Sequence, residues 1–164
     1  MLTPPAFTPA YADLIPATAA DRDALFFFGT LMHVEVLARV LDREVAAHET
    51  ALARLAGFRR ERAASASYPV LVEDPSAAVE GLLMHRPSRR DILRINHFED
   101  DEYRAHRLIV ETDAAQTDAW VFLGLDEVAM MRPSGEPWHL DQWAARHLNA
   151  FIAAIDGWMA DAPC

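Results

Sequence analysis

The chain predicts an α+β fold, on three observations. Short apolar bursts broken by Gly and Pro read as strands, stretches with apolar residues at helical spacing read as helices, and the two kinds follow one another in mixed order. A length of 164 residues suits one compact domain and can bury a sizeable core without covalent staples. No internal repeat and no shift in composition divides the chain.

Taken in order, residues 1–23 carry Pro4, Pro5, Pro9 and Pro16 among Ala and Thr, an extended lead-in rather than a packed element, and the domain proper occupies 24–164. Leu25 to Phe28 is bulky and apolar and is closed by Gly29, which fits a short buried strand ending in a turn. Val34, Leu37, Ala38 and Leu41 then recur at helical spacing. Between Ala51 and Pro87 the bursts Leu52 to Phe58, Tyr68 to Val72 and Val79 to Met84 read as several strands, broken by Gly57, Pro69, Pro75 and Gly81. Ser88-Arg89-Arg90-Asp91 is a capping-box pattern opening a short helix on which Ile92, Ile95 and Phe98 follow at triplet spacing. His106 to Glu111 and Trp120 to Leu125, separated by the polar Asp113 to Asp118, form a hairpin. Leu140, Trp143, Ala144, His147, Leu148, Phe151, Ile152 and Ile155 sustain a helical series over about four turns.

Bulk chemistry narrows the partners. A formal net charge of -10 opposes a surface built to neutralise nucleic-acid phosphates or anionic lipid, leaving small molecules or proteins. No apolar run approaches the roughly 20 residues of a membrane helix, and the start lacks the pattern of a signal peptide. The single Cys164 has no intrachain partner, so a reducing compartment, the cytoplasm, is expected. Oligomeric state leaves no mark in the sequence.

Two features carry chemistry. On a helix from Ser88, Glu99 lies on the face of Ile92 and Ile95, so a carboxylate ends an apolar stripe. Partial burial and the negative helix end both disfavour its ionised form, which raises the expected pKa towards that of a general base near neutral pH. The plainer alternative is a frayed helix end in the acidic turn Asp100-Asp101-Glu102. At Phe28-Gly29-Thr30-Leu31, Gly lets a ligand approach the backbone, and N–H groups opening a helix can receive a carboxylate. An ordinary strand-to-helix turn capped by Thr30 fits the same residues.

The stretch Phe26-Phe27-Phe28-Gly29-Thr30-Leu31 resembles the tyrosine-glycine-threonine/serine-leucine signature of the γ-glutamylcyclotransferase-like superfamily. Asn96-His97-Phe98-Glu99 leading to Tyr103-Arg104 resembles the aromatic-glutamate segment of the branch related to plant avirulence-induced proteins, and Pro137-Trp138 with Trp143 and His147-Leu148 resembles its C-terminal helix. The match runs from Leu25 to about Ile155. It implies a small mixed β-barrel with helices packed outside and a pocket at one mouth. It further implies Glu99 as acid/base residue, Phe28, Gly29, Thr30 and Leu31 as the substrate-anchoring loop, and Tyr103 near the site. The reaction would be cofactor-independent cyclisation of a γ-glutamyl amine or amino acid to 5-oxoproline. Phe28 stands where the family has tyrosine, and Asp100 where a glycine often follows the glutamate.

Phe28 and Asp100 also motivate a second hypothesis, a non-catalytic module that binds a carboxylate-bearing metabolite or peptide. Other constellations carry less. His139, Asp141 and His147 lie on the last helix, but two turns is too long a separation for two metal ligands, and His147 falls in the apolar stripe as a core histidine would, so no metal is expected. Ser65, Ser67 and Ser76 lack a nucleophile-elbow sequence. Arg59, Arg60 and Arg62 read as a solvated strand end or loop, and Trp138, Trp143 and Trp158 as core or groove packing.

Overall fold

The computed structural model describes residues 11–12, 14–99, 103–124 and 132–163. Its strands are β1 (Tyr11–Ala12), β2 (Ala24–Phe27), β3 (Thr50–Ala63), β4 (Pro69–Met84), β5 (Tyr103–Glu111), β6 (Gln116–Gly124) and β7 (Pro133–Pro137). Its α-helices are α1 (Val34–Leu41), α2 (Arg89–Glu99) and α3 (Leu140–Trp158).

Five of the strands close into a barrel in the order β5-β6-β2-β4-β3, with β3 returning to β5 where Arg54 faces Glu111. β2 runs parallel to β6 while the other pairs are antiparallel, so the barrel is mixed. The short β1 and β7 add to β5 and β3.

Two apolar clusters explain why β2 reads as an unbroken apolar run. Ala24 and Phe26, with Phe28 just beyond the strand, join Leu55, Val79, Leu83, Val110 and Val121 inside the barrel. Leu25 and Phe27 belong to the other cluster, between the barrel wall and the helices, with Val36, Leu37, Ile92, Ile95, Trp143 and Ile155. With core on both faces, strand periodicity has no polar side to show. The capping box at Ser88 forms as expected: the Asp91 N–H donates to Ser88 Oγ at 3.1 Å and the Ser88 N–H to Asp91 Oδ2 at 3.0 Å. Ile92 and Ile95 are fully buried.

Several sequence expectations differ from the structure. The three bursts between Ala51 and Pro87 are two long strands, because Gly57, at φ +89°, forms a bulge between Ala56 and Phe58 instead of ending β3, and Pro75 and Gly81 are absorbed within β4. The stretch before β2 packs: Ile15 and Ala19 are buried. On α1 the buried residues are Val36, Leu37, Val40 and Leu41, whereas Val34, in the first turn, is 66% exposed. His147 is exposed, not a core histidine, because α3 buries only a narrow stripe centred on Trp143 and Ile155. β7, Pro- and Gly-containing, carries no strand signal in its sequence. No helix among the described residues is long and apolar enough to cross a membrane.

Candidate functional site

Where β2 leaves the barrel the chain turns sharply at Gly29. A Cβ there would lie 3.0 Å from Pro69 Cγ at the start of β4, so the close approach of two segments favours glycine. A single 3-10 turn, Thr30–Met32, follows, closed by the Met32 N–H donating to the Gly29 carbonyl at 3.0 Å. Thr30 and Leu31 are the first residues of that turn, so their N–H groups have no acceptor within it. Phe28, Thr30 and Leu31 are all buried.

A guanidinium fixes this loop from behind. Arg60 on β3 donates from Nη1 to the Phe28 carbonyl at 2.8 Å and the Glu80 carbonyl at 3.1 Å, and from Nε to the Trp138 carbonyl at 3.3 Å. It lies over the Trp138 ring, 5.2 Å from its centroid. Burial pushes its pKa below the ordinary value, against a smaller opposing pull from Glu80. The reading of Arg59, Arg60 and Arg62 as one solvated cluster therefore fails at Arg60. Alternation sets Arg59 on the other face, where it pairs with Glu61 at 2.6 Å, while Arg62, on the face of Arg60 but nearer the strand's end, pairs with the exposed Glu136 at 2.9 Å.

The opposite wall is the last turn of α2. Asn96 is buried and holds the N-terminal segment through the Ile15 N–H at 3.0 Å and the Ile15 carbonyl at 2.9 Å. His97 Nε2 sits 2.8 Å from the Trp158 carbonyl, and Arg94 donates to the carbonyls of Val40 at 2.7 Å and Pro163 at 3.3 Å. Glu99, partly buried, is thus the end of a helix tied to α1, to the end of α3 and to the residues after it. Tyr103 opens β5 opposite Gly124. A third wall is the β3–β4 turn, secured to the α3 region by Trp138 Nε1 donating to the Ser67 carbonyl at 2.8 Å and Trp143 Nε1 to Ser67 Oγ at 3.3 Å.

These walls enclose a cavity of about 940 Å³. Phe28, Gly29, Thr30, Leu31, Glu99 and Tyr103 all line it, so the structure brings together every residue that the sequence singled out for the site. Asp100 lies outside the described residues. Sequence reasoning did not assign Ser65, Tyr68, Asn96, Phe151, Trp158 and Asp161 to the cavity, though they line it too. Asn96 had a signal, since it stands four residues after Ile92 on the buried side of α2; Ser65 and Asp161 had none. Among the described residues no group of His, Cys, Asp or Glu has the arrangement of a metal site.

Comparison with known proteins agrees with this architecture. The model of the family described as "Gamma-glutamyl cyclotransferase, AIG2-like" matches residues 25–144. AIG2-like protein C of Arabidopsis thaliana is 28% identical over 134 residues, which cover 79% of this chain and 74% of that protein. A solution structure of an Arabidopsis thaliana protein superposes with a TM-score of 0.59 at 19% identity, over 89% of this chain and 96% of that one. A structure titled "Gamma-glutamyl cyclotransferase" superposes with a TM-score of 0.50 at 13% identity, over 63% of this chain and 66% of that one. At these identities the two structural likenesses are likenesses of fold.

Proposed function

The chain belongs to the gamma-glutamyl cyclotransferase, AIG2-like family, and from that membership we propose that it cyclises a γ-glutamyl amide to 5-oxoproline, releasing the amine. The observation that carries the reading is that the Glu99 carboxylate and the loop Gly29 to Leu31, far apart in sequence, line one cavity large enough for a small ligand.

The chemistry asks little beyond position and the passage of protons from the attacking to the departing nitrogen. The substrate's α-amino nitrogen attacks its own γ-carbonyl carbon, so a C–N bond forms within the molecule while the original amide C–N bond breaks. The substrate must be held curled, and its ammonium group must lose a proton before it can attack. Glu99 takes that proton and returns it to the departing nitrogen; the second proton that the attacking nitrogen sheds on becoming the lactam N–H leaves with the amine, which departs as an ammonium ion, and no water is consumed. The loop N–H groups of Thr30 and Leu31 hold the α-carboxylate, with the Arg60 charge behind the Phe28 carbonyl adding favourable potential. Tyr103 orients the reacting end.

The test is 5-oxoproline release from γ-glutamyl amines, γ-glutamyl amino acids and glutathione, with Glu99→Gln run in parallel. The variant is expected to lose turnover by about 100-fold or more while still binding. Equal release from both proteins would remove Glu99 from the mechanism. Binding without release in the wild type would favour the carboxylate-binding module instead, and the absent tyrosine hydroxyl at Phe28 would then be the first place to look.

A further inference from the structure

The outer part of the cavity differs from the part that faces Glu99. Leu14 and Trp158, 49% and 53% exposed, are two of the five exposed large apolar side chains among the described residues, and both line this cavity. Inside Trp158 the wall continues through Phe151, with ring centroids 5.3 Å apart at 77°, and then Phe98, at 6.2 Å and 84°. Trp143 supports Phe151 edge-on from behind at 5.0 Å. These edge-to-face contacts, with the His97 tie to the Trp158 carbonyl, hold an aromatic wall beside the helix end that carries Glu99.

The charges around the cavity sharpen the picture. Its described lining includes the carboxylates of Glu99 and Asp161 but neither Arg nor Lys, and the residues outside the described ones contain neither type. His97, the one basic side chain in the described lining, has Nε2 engaged with a carbonyl. If the Gly29 to Leu31 loop takes the α-carboxylate, a second carboxylate on the leaving group would be desolvated against aromatic faces and two acids with no cation to receive it.

Resting on the cyclotransferase reading above, we infer that the substrate is the γ-glutamyl amide of an apolar, aromatic monoamine, whose ring lies against Phe98, Phe151 and Trp158 while the glutamyl part faces Glu99. Amino-acid and dipeptide leaving groups, the cysteinylglycine of glutathione among them, are selected against by charge. Trp158 is then a specificity residue: it touches the leaving group and takes no part in the proton transfers.

The experiment compares γ-glutamyl-phenethylamide, γ-glutamyl-methylamide, γ-glutamyl-alanine and glutathione, by kcat/KM with the wild type and by calorimetric Kd with Glu99→Gln. The phenethyl amide is expected to lead glutathione by at least about tenfold in both measures. Trp158→Ala should raise KM for the phenethyl amide more than for the methyl amide, with kcat for the two falling alike or not at all. Glutathione or γ-glutamyl-alanine matching the aromatic amide would overturn the inference while leaving cyclisation intact. Failure of every compound to release 5-oxoproline would instead count against the cyclotransferase reading. The order of Kd values would still decide the preference of the cavity, and an aromatic amide bound no tighter than glutathione would overturn it.

Discussion

At the scale of a single residue, Arg60 shows how a side chain far from the reacting atoms can set the shape of the site. Its donors reach three carbonyls, on Phe28, Glu80 and Trp138, and so join the end of β2, the middle of β4 and the approach to α3. Lysine carries the charge but not the planar fork, and cannot serve all three segments at once. Arg60→Met should cost on the order of 2 kcal/mol, the usual scale for losing charge-assisted hydrogen bonds, and should raise KM because the Phe28 carbonyl anchors the loop before Gly29. Arg60→Lys should restore part of the stability and little of the KM. Urea denaturation and substrate titration check both; a KM unchanged in Arg60→Met would show that the loop keeps its shape without the tie. Nothing in the sequence marks this arginine among Arg59, Arg60 and Arg62, since alternation sets only Arg59 apart and the partners that distinguish Arg60 from Arg62, the carbonyls of Phe28, Glu80 and Trp138 against Glu136, come from distant segments.

At the scale of elements, patterns governed by local physics are legible and those set by partners are not. The buried strand before Gly29, the capping box at Ser88, the helix bearing Glu99 and a hairpin of β5 and β6 each follow from chain-local rules, whereas Tyr103 lies ahead of the strand expected from His106, and its nearness to the site is implied only by the family resemblance. The length of β3 and β4 is hidden in the sequence because Gly57, Pro75 and Gly81 look like breaks, yet Gly57 and Pro75 fall together at the irregularity between Ala56 and Phe58, after which pairing resumes, and Gly81 pairs with Ala53. Gly81 is the informative case: a Cβ there would overlap the Phe26 ring, 2.7 Å from Cε2, and also meet the Phe27 carbonyl oxygen. The glycine thus lets β2 and β4 approach, with Phe26 packed over the gap inside the barrel. Gly81→Ala should cost about 1–3 kcal/mol, as overpacking generally does, by prising apart the strand that feeds the substrate loop. Gly157, late in α3, has open space where a Cβ would stand, so Gly157→Ala should stabilise by about 0.5–1 kcal/mol. Chemical denaturation of the two variants reads this contrast; loss of stability in both would mean that α3 is limited by something other than backbone entropy.

For the whole molecule the question is what holds the helical layer to the barrel, and the answer predicts its response to acid. The chain has no lysine, and its fifteen arginines stay charged across the folding range, so the pH dependence of these ion pairs at low pH falls to their carboxylate partners. Arg43, just beyond α1, forks onto Asp91 at 3.0 and 2.9 Å and onto Glu49 at 3.1 and 2.8 Å, linking α1, the entry to β3 and the cap of α2. Burial alone would push the Asp91 carboxyl up, but hydrogen bonds from Arg43 and the Ser88 N–H outweigh it and hold the pKa below its ordinary 3.8. Hydrogen bonds from Arg43 and the Ala46 N–H likewise hold Glu49 below 4.5. Both folded values are depressed, so this stabilisation is complete above the ordinary values and is lost as pH falls through 4.5 and 3.8 towards the lower folded ones. Asp91→Asn should be less stable than the wild type by about 3 kcal/mol at pH 7, the lower end for breaking a buried pair, because Arg43 keeps Glu49. From about pH 4 downward the two proteins should draw together, since the unfolded wild-type chain then takes up a proton at Asp91 that the folded carboxylate, held below 3.8, still resists. Urea midpoints from neutral pH down to about pH 3 test this directly: a difference that stays constant over the whole range would locate the contribution of Asp91 in its hydrogen-bonding shape rather than its charge.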